Sequence, residues 1–142
     1  MLKLRVKVED AVLQRIRMSF DKYVDRGIKA AAKKGAELVR RGIETGRSEW
    51  PELSQVTINI KGHDQILFDT GDMYNSIDVD KEGIGRYTYF TDVPYADIHE
   101  LGLLLHATPS VPRREFFMPT TQGNELQEII QAAKNEIISG VR

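Results

Sequence analysis

Hydrophobic and polar positions alternate at the start of the chain: Leu2, Leu4, Val6 and Val8 are separated by Lys3, Arg5 and Lys7. This is the period of a half-buried strand. From about Glu9 the period lengthens. Leu13, Ile16, Phe20, Val24, Ile28, Ala31, Gly35, Leu38 and Gly42 follow one another by three or four residues, while Arg15, Lys22, Arg26, Lys29, Lys33 and Arg40 fall on the opposite face. The pattern predicts an amphipathic helix ending near Thr45-Gly46. Over residues 9–45 such a helix would run about 55 Å, whereas a compact globule of this size is only about 35–40 Å across. The helix must therefore break, with Asp25-Arg26-Gly27 as the best site, or project beyond its own domain and use a partner subunit to cover its apolar stripe. Ala31, Gly35 and Gly42 on that stripe would let another backbone approach.

Gly46 to Gln65 reads as a long connection containing one weak strand, Val56–Ile60. Trp50 precedes Pro51 and is thereby kept out of a helix. The apolar Ile66-Leu67-Phe68 leads into one or two helical turns over 69–77. Ile77–Lys81 and Gly85–Asp92 read as a hairpin around Lys81-Glu82-Gly83-Ile84, its second strand rich in β-formers. Pro94 opens a short helix to Leu101, closed by Gly102. Glu115–Met118 is a candidate short strand. A final helix starts near Asn124, with Gln127 as its capping partner, buries Leu126, Ile129, Ile130, Ala133 and Ile137, and ends at Gly140. These elements predict one α+β domain over residues 1–142: a long N-terminal amphipathic helix packed on a small antiparallel sheet, with a C-terminal helix.

Composition narrows the chemistry. A chain of 142 residues is one domain long. It has no cysteine, which excludes disulfide scaffolds, Cys-ligated zinc, iron–sulfur clusters and thiol catalysis. No apolar run approaches the roughly 18–20 residues of a membrane span, and the alternating N-terminus is no signal-peptide block, so a cytoplasm-like compartment is expected. The net charge of −1 hides a split: residues 1–47 hold 13 Lys/Arg against 6 Asp/Glu, and residues 48–142 hold 7 against 15. Such asymmetry points to a docking or nucleic-acid surface, or to two halves that neutralise each other within one fold.

Asp69-Thr70-Gly71 after Ile66-Leu67-Phe68 has the form in which aspartic proteases present a catalytic carboxylate, and dimerisation could supply the second one. Asp72 follows instead of a small residue, and a long first helix does not suit an all-β protease. The structural reading is that Asp69 or Thr70 caps the turn beginning at Gly71. His99-Glu100 opens like a zinc-binding His-Glu-x-x-His, but the second ligand position is Leu103. His63 has no visible partner, and Gly83-Ile84-Gly85 lacks the third glycine of a dinucleotide loop. Neither a Walker-type loop nor a Gly-x-Ser-x-Gly elbow occurs. The basic helix face could contact a phosphate backbone, yet Asp21, Asp25, Glu37 and Glu44 interrupt it and no aromatic residues interleave for stacking.

Four stretches, in order, resemble the phage virion morphogenesis family, the tail completion proteins of tailed bacteriophages. They are Trp50-Pro51-x-Leu53-Ser54-x-x-Thr57 followed by Lys61-Gly62; Ile66-Leu67-Phe68-Asp69-Thr70-Gly71-x-Met73-x-x-Ser76-Ile77; Pro94-Tyr95-Ala96-x-Ile98-His99-Glu100-x-Gly102; and Val111-Pro112-x-Arg114-x-Phe116. Arg113 and Glu115 depart from the family pattern. The resemblance implies a virion protein of the tail or neck, assembled in the host cytoplasm, that joins head to tail without chemical reaction, metal or cofactor. Its implied partners are further copies in a homo-oligomeric ring, a hexamer, and neighbouring neck, tail-terminator or tail-tube proteins. No membrane is involved, and nucleic acid at most passes through the ring. Trp50, Asp69, Thr70, Gly71, Tyr95, Ile98, His99, Glu100, Gly102, Arg114 and Phe116 become structural or interface positions. In that reading Asp69-Thr70-Gly71 turns the chain, Tyr95 and Ile98 anchor a short helix on the sheet, and Arg114 with Phe116 pins the final loop. The alternatives are a homodimeric aspartic protease using Asp69-Thr70-Gly71 and, third, a small basic-helix nucleic-acid binder.

Overall fold

One unbroken helix, α1 (Asp10–Thr45), organises the chain. The computed structural model describes residues 10–102 and 111–141; the strand expected over Leu2–Val8 lies outside them. At 36 residues, α1 is about 54 Å long. The expected break at Asp25-Arg26-Gly27 does not occur, and the local reasons are clear. Gly27 is buried against the C-terminal helix α5 (Gly123–Val141), where a Cβ would lie 2.6 Å from Ile137 Cγ1. The glycine allows two helices to touch, and that packing offsets its cost of about 1 kcal/mol in a helix interior. Asp25 ties the same turn to the hairpin: its carboxylate accepts hydrogen bonds from Gly85 N (2.9 Å), Lys81 Nζ (2.9 Å) and Tyr87 Oη (3.0 Å). These donors, the Gly85 amide first and Lys81 next, hold the Asp25 pKa below the usual carboxylate range.

The hairpin consists of β1 (Asp78–Gly83) and β2 (Arg86–Phe90), antiparallel, with Asp78 opposite Phe90 and an irregularity between Lys81 and Gly83. The long helix packs on both α5 and β2, so the fold is the expected α+β arrangement. Gly35 and Gly42 meet groups of their own chain rather than a partner's backbone. A Cβ on Gly35 would lie 2.6 Å from Tyr89 Cε1, and one on Gly42 would lie 2.8 Å from Arg47 Nη2. The α1 core positions Ala36, Val39 and Ile43 form a second stripe beside the one expected, and they join Trp50, Met73, Ile77, Ala96 and Phe116 in the hydrophobic core.

Two expected strands are not strands. Val56–Ile60 falls within α2 (Gln55–Lys61). Ser54 accepts the Thr57 amide hydrogen bond at 3.2 Å, and Gly62, left-handed at φ 79°, donates its N–H to Ile58 O. Two well-formed caps prevail over the β-preference of Val56, Ile58 and Ile60. Glu115–Met118 is a bend leading into a 3-10 turn, Met118–Thr121. Between these lie α3 (Asp72–Ser76) and α4 (Ala96–Leu101). The last helix begins at Gly123 and runs one residue past Gly140, which lies against the Tyr23 ring. Leu126, Ile129, Ala133 and Ile137 are half-buried as its inner face, while Ile130 is exposed.

Part of the charge split is resolved inside the fold. Arg26 pairs with Glu136 (2.7 Å), Arg41 with Glu128 (3.2 Å) and Arg47 with Glu125 (3.1 Å), each joining the basic N-terminal third to α5. Arg41, then Lys34, draws the Glu128 pKa down. The Arg47–Glu125 pair is the most enclosed of them, with side chains 11% and 18% exposed. No helix among the described residues is long and apolar enough to cross a membrane.

Candidate functional site

The four motif stretches, far apart in the chain, converge around the C-terminal end of α1. Their junctions are specific. Arg114, buried, donates from Nε and Nη2 to Pro51 O (3.1 and 2.9 Å) and from its backbone N–H to His99 O (2.8 Å). Burial lowers the Arg114 pKa from its ordinary value, though a guanidinium remains charged at any physiological pH. Trp50 is buried and donates Nε1–H to Glu115 O at 2.9 Å. Glu100 accepts three backbone N–H groups: Phe116 at 2.7 Å and Phe117 at 3.0 Å on Oε2, and Met118 at 2.8 Å on Oε1. Those amides open the 3-10 turn and would otherwise lack partners. Their capture by a side chain is why Glu115–Met118 bends instead of pairing as a strand. Phe116 is fully enclosed.

Outside this junction lies a cleft of about 730 Å³ lined by Asp69, Thr70, Gly71, Tyr95, His99 and Arg114 among the sequence-derived positions. Leu67 and Met73, which add apolar surface, and Lys61, which adds a cation, belong to the resembling stretches but are not among the interface positions the sequence points to. Tyr95 is exposed and meets the His99 ring edge-on at 6.1 Å. The expectation that Tyr95 and Ile98 anchor α4 on the sheet is corrected: Ala96 is the α4 residue in the core, and Ile98 is only half-buried. His99 has its pKa lowered by burial first, then by the Arg114 and Lys61 charges. Its Nδ1 is buried without a hydrogen-bond partner among the described residues. Gly102 closes α4 at φ 75°, and a Cβ there would sit 3.0 Å from Arg113 N.

Asp69-Thr70-Gly71 does turn the chain, with Gly71 left-handed at φ 87°. The N-cap of α3 is Gly71, with no side-chain cap hydrogen bond, so neither Asp69 nor Thr70 caps the helix as expected; Thr70 Oγ1 accepts the Asp72 amide only in a long 3.4 Å turn contact. The Asp69 side chain is 68% exposed, and His63 Nε2 lies 4.0 Å from it. Two carboxylates that share a proton stand about 3 Å apart; among the described residues no hydrogen bond joins Asp69 to a second carboxylate. Nor do three His, Asp or Glu side chains cluster there for a metal. In this arrangement charged side chains lock backbone carbonyls and amides of distant loops.

No protein-family model, no curated protein and no solved structure matches this chain.

Proposed function

We propose that this chain is a structural component of a tailed-phage particle, acting at the head–tail interface as a subunit of a homo-oligomeric ring. The observation that carries the reading is that three of the four resembling stretches interlock at one junction, and the other adds Met73 and Ile77 to the core beneath it. Trp50, Glu100, Arg114 and Phe116 spend their polar and apolar groups on holding loops together. That is the use expected of motif residues whose work is architectural. A helix longer than a compact domain is wide gives each subunit reach toward a neighbour. In the aspartic-protease alternative the second carboxylate would come from a partner copy's Asp69.

The test is genetic and visual. In a phage deleted for this chain, electron microscopy should show filled heads and separate tails, and supplying the protein should restore joined, infectious particles. Normal virions in the deletion lysate would refute the role. An acid-pH peptidase activity blocked by an aspartic-protease inhibitor would favour the alternative.

A further inference from the structure

The two ends of α1 present complementary surfaces. At one end α1 extends past the partners that pack on it among the described residues: Gly140 of α5 meets Tyr23, and the hairpin tip at Gly85 reaches Val24 and Asp25. One turn further out Phe20 is 66% exposed, with the exposed Arg17 one turn before it on the same face, while Met18 and Lys22, also exposed, lie on the other side of the helix. At the other end, β2 runs alongside α1, from Gly85 near Val24 to Tyr89 on Gly35. It finishes at a groove of about 540 Å³ between the end of β2 and α4. Phe90, Val93, Pro94 and Phe117 give that groove an apolar lining, with the carboxylates of Asp92 and Asp97 beside them, both on exposed residues. Phe20 and Gly35 are about 22 Å apart along the helix, so one subunit's helix end cannot fill its own groove.

We propose that the Phe20 end of α1 docks into the Phe90–Val93 groove of a second copy of this chain, with Arg17 against the Asp92 and Asp97 carboxylates. This rests on the ring reading and deepens it by naming both halves of the subunit contact. An apolar side chain with a cation one turn away on its own face meets an apolar groove flanked by carboxylates, so shape and charge select the same orientation. Because the two patches differ and lie at opposite ends, the contact is head-to-tail. Each subunit uses both patches, and a chain of such contacts closes into a ring when its rotation allows.

The experiment uses two variants, Phe20→Asp, which disables the helix end, and Phe90→Arg with Asp92→Arg, which disables the groove. Native mass spectrometry and analytical ultracentrifugation are run at low salt on the parent, on each variant and on their equimolar mixture. Thermal melts on each confirm the fold. The parent should form a closed oligomer, and each variant alone should be a monomer with an unchanged melting temperature. The mixture should give heterodimers and nothing larger, since only one intact pair of patches remains. Variants that oligomerise like the parent, or a mixture that stays monomeric, would overturn the docking while leaving a ring built on other surfaces. A parent that is monomeric at all concentrations and salts would overturn the docking and self-assembly together. A lowered melting temperature in monomeric Phe20→Asp would mean that the helix end is covered by its own chain, and would equally overturn the proposal.

Discussion

Replacing Glu100 with alanine should be among the most damaging single changes to this protein. The side chain accepts the amides of Phe116, Phe117 and Met118, and its removal strands them unequally. Met118 is exposed, so water can take over its N–H, whereas Phe116 is fully enclosed and Phe117 half-buried. Two amides left without acceptors, at about 1–3 kcal/mol each, give a loss of roughly 2–6 kcal/mol. For a domain of this length that corresponds to a fall in melting temperature of about 6–18 °C. Glu100→Gln keeps one oxygen acceptor but loses the charge, and should cost about 1–2 kcal/mol. Urea titration followed by Trp50 fluorescence is a suitable assay, because Trp50 Nε1–H is bonded to Glu115 O, next to the released segment. An alanine variant within about 0.5 kcal/mol of the parent, the range of an ordinary surface change, would show that the three hydrogen bonds do not hold the loop.

Three further outcomes are expected. Gly35→Leu should cost at least the 1–3 kcal/mol typical of overpacking, seen as a lower urea midpoint, because even its Cβ would lie 2.6 Å from Tyr89 Cε1; unchanged stability would mean that the ring moves aside freely. Asp69→Ala and Asp69→Asn should both stay within about 0.5 kcal/mol of the parent, since the carboxylate is exposed and α3 takes no cap hydrogen bond from a side chain; abolished self-cleavage in Asp69→Asn would favour the protease instead. His99 has a folded-state pKa below its ordinary value of about 6.5, so its contribution is present above that value and is lost as pH falls through the lowered one; His99→Gln should flatten this part of a pH series of thermal melts, and an identical pH profile would refute the assignment.

The long elements were readable because their signal repeats. Nine apolar positions at helical spacing announce α1, and the β-formers from Arg86 to Phe90 announce β2. What could not be read depends on partners distant in the chain. Gly27 signals a helix break until Ile137, packed against it from α5, accounts for it. Val56, Ile58 and Ile60 alternate like a strand, and only the paired caps at Ser54 and Gly62 decide otherwise. The aromatic run at Phe116-Phe117 gave no hint that Glu100 would claim its amides. At the site, the motif residues themselves were legible, but their partners are backbone atoms of Pro51 and Glu115, which no side-chain pattern reports. Leu67 adopts φ 57° in the cleft wall, a conformation uncommon for a leucine and invisible in its sequence context.

The pairing of the first helix with the last also sets a timetable. Arg26 and Glu136 stand 110 residues apart in the chain, so a ribosome elongating at about 5–20 residues per second needs roughly 5–20 s to get from one to the other. Throughout that interval the inner stripe of α1 exists without α5 to cover it. The hairpin arrives midway and shields only one flank. Translation speed across the later half of the message therefore bears on solubility. A stalled or truncated product retains a long amphipathic helix with an uncovered face, whose readiest apolar counterpart is the same face on another nascent chain.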